Sequence, residues 1–581
     1  MQQAKDPALS PKIVIVGGVA GGASAAARAR RVNERARIVV YERDAYISFA
    51  NCGLPYYFGG EITDRNSLLV ASPELFDARF RIEVNVRHEV LSIDRAARTV
   101  TVEDLATGGR FVETFDKLIL SPGATPIMPP LPGMDAMGVF SLRTIEDMDR
   151  IAAALPDARR AVVVGAGYVG LEVAEQFVRR GLEVTVVELQ PQILPFLDRE
   201  MAEPLQREIE DHGIRLELGQ KLAGIDTAGG AVTAAVLADG RRLAADLVLV
   251  GIGVRPVNEL AKAAGLDIGA AGGIATDAFM RTSDPDIYAV GDAAEYRFGP
   301  TGARQRVPLA GIANRTGRLA GEHAATGHSR EAPAAWGTSI VRLFGASAGA
   351  TGLSLRTAAA AGIEARAVHA VGGHHAGYYP GAQTLALKLV YAPGTGKILG
   401  AQAVGGAGID KRLDILATVL HFGGTVDDLA ALDLAYAPPF GSAKDPVHMA
   451  AFAAQNDLDG LVRFVLPETD LAPYQVIDVR QPEEAAGKPL IDAPHAHVVP
   501  LGQLRSRLSE IDPAKPTVLT CRTGLRAYVA ARILAQHGFT DIANLSGGAA
   551  MRDYALRRGS GEPTAHRLPE PEHLGNLEAL G

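Results

Sequence analysis

Twice along this chain an apolar strand runs into a glycine turn, a helix, a second strand and then an acid. The first passage is Ile13-Val14-Ile15-Val16, then Gly17-Gly18-Val19-Ala20-Gly21-Gly22, an Ala-rich helix to about Val32, and Ile38-Val39-Val40-Tyr41 ending at Glu42. The second is Ala161-Val162-Val163-Val164, then Gly165-Ala166-Gly167-Tyr168-Val169-Gly170, a helix, and Val184-Thr185-Val186-Val187 ending at Glu188. A glycine turn opening a helix aims unpaired N–H groups and the positive end of the helix dipole at one point, which suits a phosphate. The acid after the second strand suits a ribose hydroxyl, and Glu188 stands 23 positions after Gly165, near the roughly 20 expected. The first turn departs from the pattern, with Val19 where the second glycine usually stands. Two parallel βαβ units of Rossmann type, each holding a dinucleotide, are predicted.

The other constraint is sulfur. The 581 residues hold two cysteines. Cys52 lies in Ser48-Phe49-Ala50-Asn51-Cys52-Gly53-Leu54-Pro55-Tyr56, and Cys521 opens Cys521-Arg522-Thr523-Gly524-Leu525-Arg526 between an apolar strand and an Ala-rich helix. Two thiols in so long a chain do not make a disulfide framework, which points to a reducing cytoplasm. They suit thiol, disulfide or persulfide chemistry instead. The charge balance, 58 basic against 66 acidic residues, argues against general nucleic-acid binding. No metal-ligand spacing is present, no uninterrupted run is apolar enough to span a bilayer, and residues 1–7 have no signal-peptide core.

Further along, Thr282-Ser283-Asp284-Pro285-Asp286-Ile287-Tyr288-Ala289-Val290 ends a short strand in Gly291-Asp292, and the Pro- and Ala-rich stretch 330–335 reads as a boundary. Residues 337–454 read as an α+β domain. A last unit places Val476-Ile477-Asp478-Val479-Arg480 before Thr517-Val518-Leu519-Thr520 and the Cys521 loop, with a helix over 527–536.

Together these features resemble the flavoprotein disulfide reductase superfamily. The segment around Cys52, with Tyr378-Tyr379-Pro380-Gly381 and Tyr436-Ala437-Pro438-Pro439-Phe440, resembles its single-cysteine branch of coenzyme A disulfide reductases and NADH-dependent persulfide or polysulfide reductases. Asp478-Val479-Arg480, the cysteine loop and Leu545-Ser546-Gly547-Gly548 resemble a rhodanese domain. The resemblance implies an α/β protein with a split FAD-binding domain (1–125 plus 255–330), an NADH-binding domain (126–254), an α+β dimerisation domain (331–455), a linker (456–465) and a rhodanese domain (466–558); the polar, Pro- and Glu-rich composition of 559–581 predicts a disordered tail. The same resemblance implies a homodimer.

The resemblance also assigns roles. FAD would lie on Gly17, Gly18, Gly21 and Gly22, with Glu42 on its ribose and Asp292 near the ribityl and pyrophosphate. NADH would lie on Gly165, Gly167 and Gly170 with Glu188 on its ribose. That carboxylate would repel a 2′-phosphate, and no arginine follows over 189–196, so NADH is favoured over NADPH. Coenzyme A would meet Ser24, Arg28, Arg31, Ser48, Asn51 and Lys444. Tyr378 and Tyr436 would donate to the departing thiolate, Tyr436 from the partner subunit. Cys52, with no second cysteine beside it, would cycle through a mixed disulfide, a persulfide or a sulfenic acid.

Cys521 would carry sulfane sulfur in a nest of backbone N–H groups, with Arg526 adding positive charge. Four residues separate Cys521 from Arg526; phosphatases of related architecture use a loop one residue longer for the larger phosphate. The expected activity is NADH-dependent reduction of persulfide or polysulfide to hydrogen sulfide. Plain coenzyme A disulfide reduction is the nearest alternative. An NADH oxidase or peroxidase, against which Asn51 and Pro55 argue on family grounds, and a non-catalytic thiol sensor or sulfur carrier stand further off.

Overall fold

The computed structural model describes residues 10–490, 492–493 and 495–556. The expected tail, 559–581, lies outside the described residues. Contacts divide the chain into two units, Met1–Val187 with Gln220–Gly337, and Glu188–Gly219 with Thr338–Gly581.

In the first unit the apolar strand Lys12–Val16 lies at the centre of a five-stranded parallel sheet. Its order is Ile287–Ala289, Lys117–Leu120, Lys12–Val16, Arg37–Glu42, Glu83–Val86. Both faces are covered, and Ile13, Val14 and Ile15 are wholly buried, as the unbroken apolar run demands. The helix Ala20–Val32 leaves the glycine turn and packs against the helix Ala310–Thr326. Small residues let the two backbones meet: a Cβ on Gly317 would lie 2.2 Å from the Gly21 carbonyl oxygen. The second glycine unit builds a parallel sheet in which Arg160–Val164 lies between Glu183–Glu188 and Leu247–Val250, with the helix Tyr168–Arg179 following the turn.

The second unit holds an antiparallel five-stranded sheet, in the order Ser339–Leu343, Ala346–Gly352, Ile398–Gly405, Thr384–Tyr391, Arg366–Gly373. Both Thr384–Tyr391 and Ile398–Gly405 are buried along their whole length. A parallel sheet follows, ordered Arg463–Val465, Ile542–Leu545, Thr517–Thr520, Gln475–Asp478, His497–Val498. The helix Leu525–Gln536 packs on it, its Ala530 and Leu534 in one cluster with Ile477 and Leu519 of the sheet. The mixed α/β architecture read from the sequence is the one observed. Among the described residues no helix is long and apolar enough to cross a membrane, and no group of acid, histidine and cysteine side chains could hold a metal ion.

Candidate active site

The glycine turns form because nothing larger fits. A Cβ on Gly22 would lie 1.8 Å from the Gly17 carbonyl oxygen, and one on Gly170 2.0 Å from that of Gly165. Helix and turn therefore touch backbone to backbone, which holds the helix N-terminus against the strand ends. The space beside Gly167 is open, with no atom within 4 Å of where its Cβ would be, so a pyrophosphate can approach the backbone there.

Glu42 closes the first βαβ unit, and its buried carboxylate accepts the Gly18 N–H at 2.7 Å and the Asp44 N–H at 3.0 Å. Burial raises its pKa. Burial also raises that of Asp292, against the nearby charge of Arg143. Asp292 sits in the short turn Gly291–Ala293, held from behind by the Tyr296 hydroxyl, which donates to the Gly291 carbonyl at 2.7 Å. Arg143 escaped the sequence reading; its charge acts on Glu42, Asp44 and Asp292 from far along the chain. Glu188 is buried and follows Val187, whose carbonyl accepts the Gly165 N–H at 2.8 Å. It accepts the Gln190 N–H at 2.9 Å.

Cys52 lies in the helical turn Asn51–Gly53, directly before the helix Leu54–Gly59, which Pro55 starts with its fixed φ. Asn51 Oδ1 accepts from both the Cys52 N–H (3.0 Å) and its thiol (3.6 Å). Cys52 is exposed, yet enough protein surrounds the thiol that desolvation raises its pKa, and the carboxylates of Glu172 and Asp292 raise it further. Tyr56 donates its hydroxyl to Glu172 at 3.1 Å. This pair is absent from the sequence reading, although Glu172 stands two residues after Gly170. Ser48 takes a left-handed conformation, φ 46°, and its carbonyl accepts the N–H groups of Val70 and Ala71.

The residues expected at coenzyme A separate by partner. Ser24 donates to Asn314 at 2.6 Å, and Arg28 grips Glu322 through Nε and a terminal nitrogen (2.9 and 2.6 Å). Arg31 lies over the Phe80 ring, 5.3 Å from its centroid. Its neighbour Arg30 is structural, buried and donating to the carbonyls of Phe80, Glu34 and Arg81. Lys444 is partly exposed beside Asp445, the cap of the helix Pro446–Leu458.

Tyr378 and Tyr436 come together within one chain, their hydroxyls 3.0 Å apart. The Ala376 N–H donates to the Gly441 carbonyl at 3.0 Å and ties the two loops together, so whichever subunit presents one tyrosine presents both. The shared hydrogen bond raises the pKa of Tyr378, which keeps it a neutral donor.

Cys521 is 1% exposed at the end of the strand Thr517–Thr520. Gly524, at φ 103°, turns the loop so that its N–H donates to Cys521 Sγ at 3.1 Å. Arg526 is held by Glu484 through two bonds of 2.9 and 2.7 Å. Glu484 carries no local signal in the sequence, since its partner lies 42 positions away. His497 pairs with Glu510 at 3.2 Å.

Residues 11–317 match the family model for pyridine nucleotide-disulphide oxidoreductases, 339–446 match the dimerisation domain of that family, and 467–550 match the rhodanese-like domain. The coenzyme A disulfide reductase of Staphylococcus aureus (strain bovine RF122 / ET3-1) is 35% identical over 450 residues, 77% of this chain and all of that protein. The crystal structure of reduced Bacillus anthracis CoADR-RHD is 40% identical, with a TM-score of 0.91, over 95% of this chain and 99% of the other. A NAD-dependent persulfide reductase from A. fulgidus is 36% identical, with a TM-score of 0.87, over 93% and 99%.

Proposed function

Because this chain belongs to the pyridine nucleotide-disulphide oxidoreductase family, a family of flavoprotein enzymes, we propose that it uses NADH to reduce persulfide or polysulfide sulfur to hydrogen sulfide, with coenzyme A as the bound thiol or sulfur carrier. The net reaction is RSSH + NADH + H⁺ → RSH + H₂S + NAD⁺. The observation that carries this reading is the pair of free cysteines, one exposed beside the first nucleotide unit and one buried in a rhodanese-like domain. A simple disulfide reductase has no use for the second. The enzyme is a cytoplasmic homodimer in this reading, its FAD-binding domain (1–125 plus 255–330) divided around the NADH-binding domain (126–254).

Bound FAD supplies a two-electron store that takes hydride from a nicotinamide and returns an electron pair to sulfur. The chain does the rest. The Gly17–Gly22 and Gly165–Gly170 turns hold the pyrophosphates, Glu42 and Glu188 hold the riboses, and Glu188 disfavours a 2′-phosphate. Cys52 holds the sulfur to be reduced. Around the resting thiol, desolvation, Asn51 Oδ1 and two carboxylates all favour the protonated form. A thiol of high pKa is a poor leaving group once in an S–S bond. Cleavage is thereby steered to expel the other sulfur, protonated from Tyr378 and Tyr436. Cys521 takes up sulfane sulfur by attack on a donor, breaking the donor's bond to that sulfur and expelling the rest of the donor (sulfite from thiosulfate), and passes it to a thiol, which becomes the persulfide as Cys521 returns to its thiolate. Ser24, Arg28, Arg31, Ser48, Asn51 and Lys444 bind coenzyme A, with Arg28 exchanging Glu322 for phosphate.

The test is anaerobic NADH oxidation with coenzyme A persulfide and, separately, coenzyme A disulfide, following sulfide. Cys52→Ser abolishes both, and Cys521→Ala slows sulfide release only when sulfur comes from an external donor such as thiosulfate. Turnover on the disulfide alone, indifferent to Cys521→Ala, would make the protein a coenzyme A disulfide reductase.

A further inference from the structure

The second unit contains a polar chain that none of the chemistry above uses. In the antiparallel sheet His369, Lys388 and Gln402 stand abreast, His369 paired in register with Lys388 and Lys388 with Gln402. Three polar residues thus share one face of a mostly apolar sheet, and all three are buried. Over them lies the start of the helix Arg199–Asp211. Glu200 accepts from His369 Nε2 at 3.1 Å and pairs with Lys388, which also reaches Asp198 at 2.8 Å. Gln402 completes the set by donating to Asp198 at 2.8 Å.

The far end of the chain enters the parallel sheet. The His369 N–H donates to Ser546 Oγ at 2.9 Å, and His369 Nδ1 lies 2.8 Å from the same oxygen. One proton arrangement satisfies every group: Ser546 donates to Nδ1, Nε2–H donates to Glu200, and Lys388 neutralises the carboxylate. Ser546 and the His369 side chain have no accessible surface.

Ser546 opens the segment that holds the Cys521 loop from below. The Ala549 N–H donates to the Cys521 carbonyl at 2.8 Å, and the Ala550 N–H to that of Arg522 at 3.0 Å. Asn544 Nδ2 donates to the Gly524 carbonyl at 3.0 Å. In a trans peptide the N–H points opposite its carbonyl. Three carbonyls clamped on one side therefore turn the N–H groups of Arg522, Thr523 and Leu525 to the other. The clamp is close-fitting: a Cβ on Gly548 would lie 2.4 Å from the Cys521 carbonyl oxygen, and one on Gly547 3.1 Å from His369 Cβ.

We propose that Ser546 and His369, backed by Glu200 and Lys388, are positioning residues for Cys521, fixing the 544–550 segment so that the cysteine loop keeps its N–H groups turned toward the sulfur. This rests on the reading that Cys521 carries sulfane sulfur. The relevant steps are thiosulfate + Cys521 thiolate → Cys521 persulfide + sulfite, then persulfide + cyanide → Cys521 thiolate + thiocyanate.

The experiment compares Ser546→Thr with Ser546→Val in the full-length holoenzyme. The two replacements have the same shape and strain the site alike, but only threonine keeps a hydroxyl for His369. Thiocyanate formation from thiosulfate and cyanide is measured beside NADH oxidation with coenzyme A disulfide. The kcat for thiocyanate falls at least about tenfold in Ser546→Val relative to Ser546→Thr, because valine leaves both the His369 N–H and Nδ1 buried without the hydroxyl they share. Disulfide turnover is equal in the two. Should Ser546→Val not fold, Glu200→Gln, which keeps volume and removes charge, lowers thiocyanate formation in the same selective way. Equal thiocyanate rates in the threonine and valine proteins, or in wild type and Glu200→Gln, would overturn the inference while leaving the sulfur-carrying role intact. Failure of wild type to form thiocyanate, or any persulfide on Cys521 with polysulfide, would sink the role itself and the inference with it.

Discussion

At the level of single residues, the two thiols meet opposite surroundings. The Cys52 thiol lies in reach of the Asn51 acceptor and the field of two carboxylates, Glu172 and Asp292, whereas the Cys521 sulfur receives a backbone N–H. The field on Cys52 is testable through Glu172. Replacing Glu172 by Gln removes an anion that raises the thiol's pKa, so the pH midpoint for alkylation of Cys52 moves down. It stays above the ordinary thiol range, because burial, the larger cause, is untouched. Mass spectrometry of the labelled thiol against pH checks this. The tyrosines give a second test. Tyr378 and Tyr436 share one hydrogen bond, so Tyr378→Phe and Tyr436→Phe each slow reductase turnover about tenfold, and the double variant falls short of the product of the two. Both thiols and both tyrosines were legible in the sequence because each sits in a contiguous motif. Glu172, Glu484 and Arg143 were not, since each is defined by a partner distant along the chain.

Among the elements, the glycine units were legible from local order alone: strand, turn, helix, strand and acid follow one another within a few dozen residues. The register of the antiparallel sheet was not. His369, Lys388 and Gln402 each read as an isolated polar residue between apolar neighbours, and only pairing across three separate segments sets them side by side. The helix Arg199–Asp211 carries acids whose environments pull them apart. Lys388 and His369 hold the Glu200 carboxyl well below the usual range despite burial. Further along the same helix, burial and Glu203 push Glu210 up to about 7, and its Oε1 is buried without a hydrogen-bond partner. A folded pKa raised above the unfolded 4.5 means that ionisation opposes folding as pH rises from about 4.5 through 7. Glu210→Gln therefore raises the urea midpoint at pH 8 and has little effect near pH 4.

For the molecule as a whole, a tyrosine pair carried by one subunit makes a prediction about two. If the pair serves the partner's Cys52, neither Cys52→Ser protein nor the Tyr378→Phe/Tyr436→Phe double variant turns over well alone. Unfolding and refolding them together restores up to about a quarter of wild-type activity, from the one intact site in the half of dimers that are mixed. No recovery would place cysteine and tyrosines of each site on the same chain. The first parallel sheet carries a different consequence, one for synthesis. Its edge strand Ile287–Ala289 lies against Lys117–Leu120 but leaves the ribosome only after the whole second glycine unit has emerged. The unit that begins later is therefore free to finish first, while the apolar edge Lys-Leu-Ile-Leu waits unpaired for its neighbour. Chains released before that strand is made would offer this edge to one another, and the interval between the two strands is when a nascent chain of this protein most needs a chaperone.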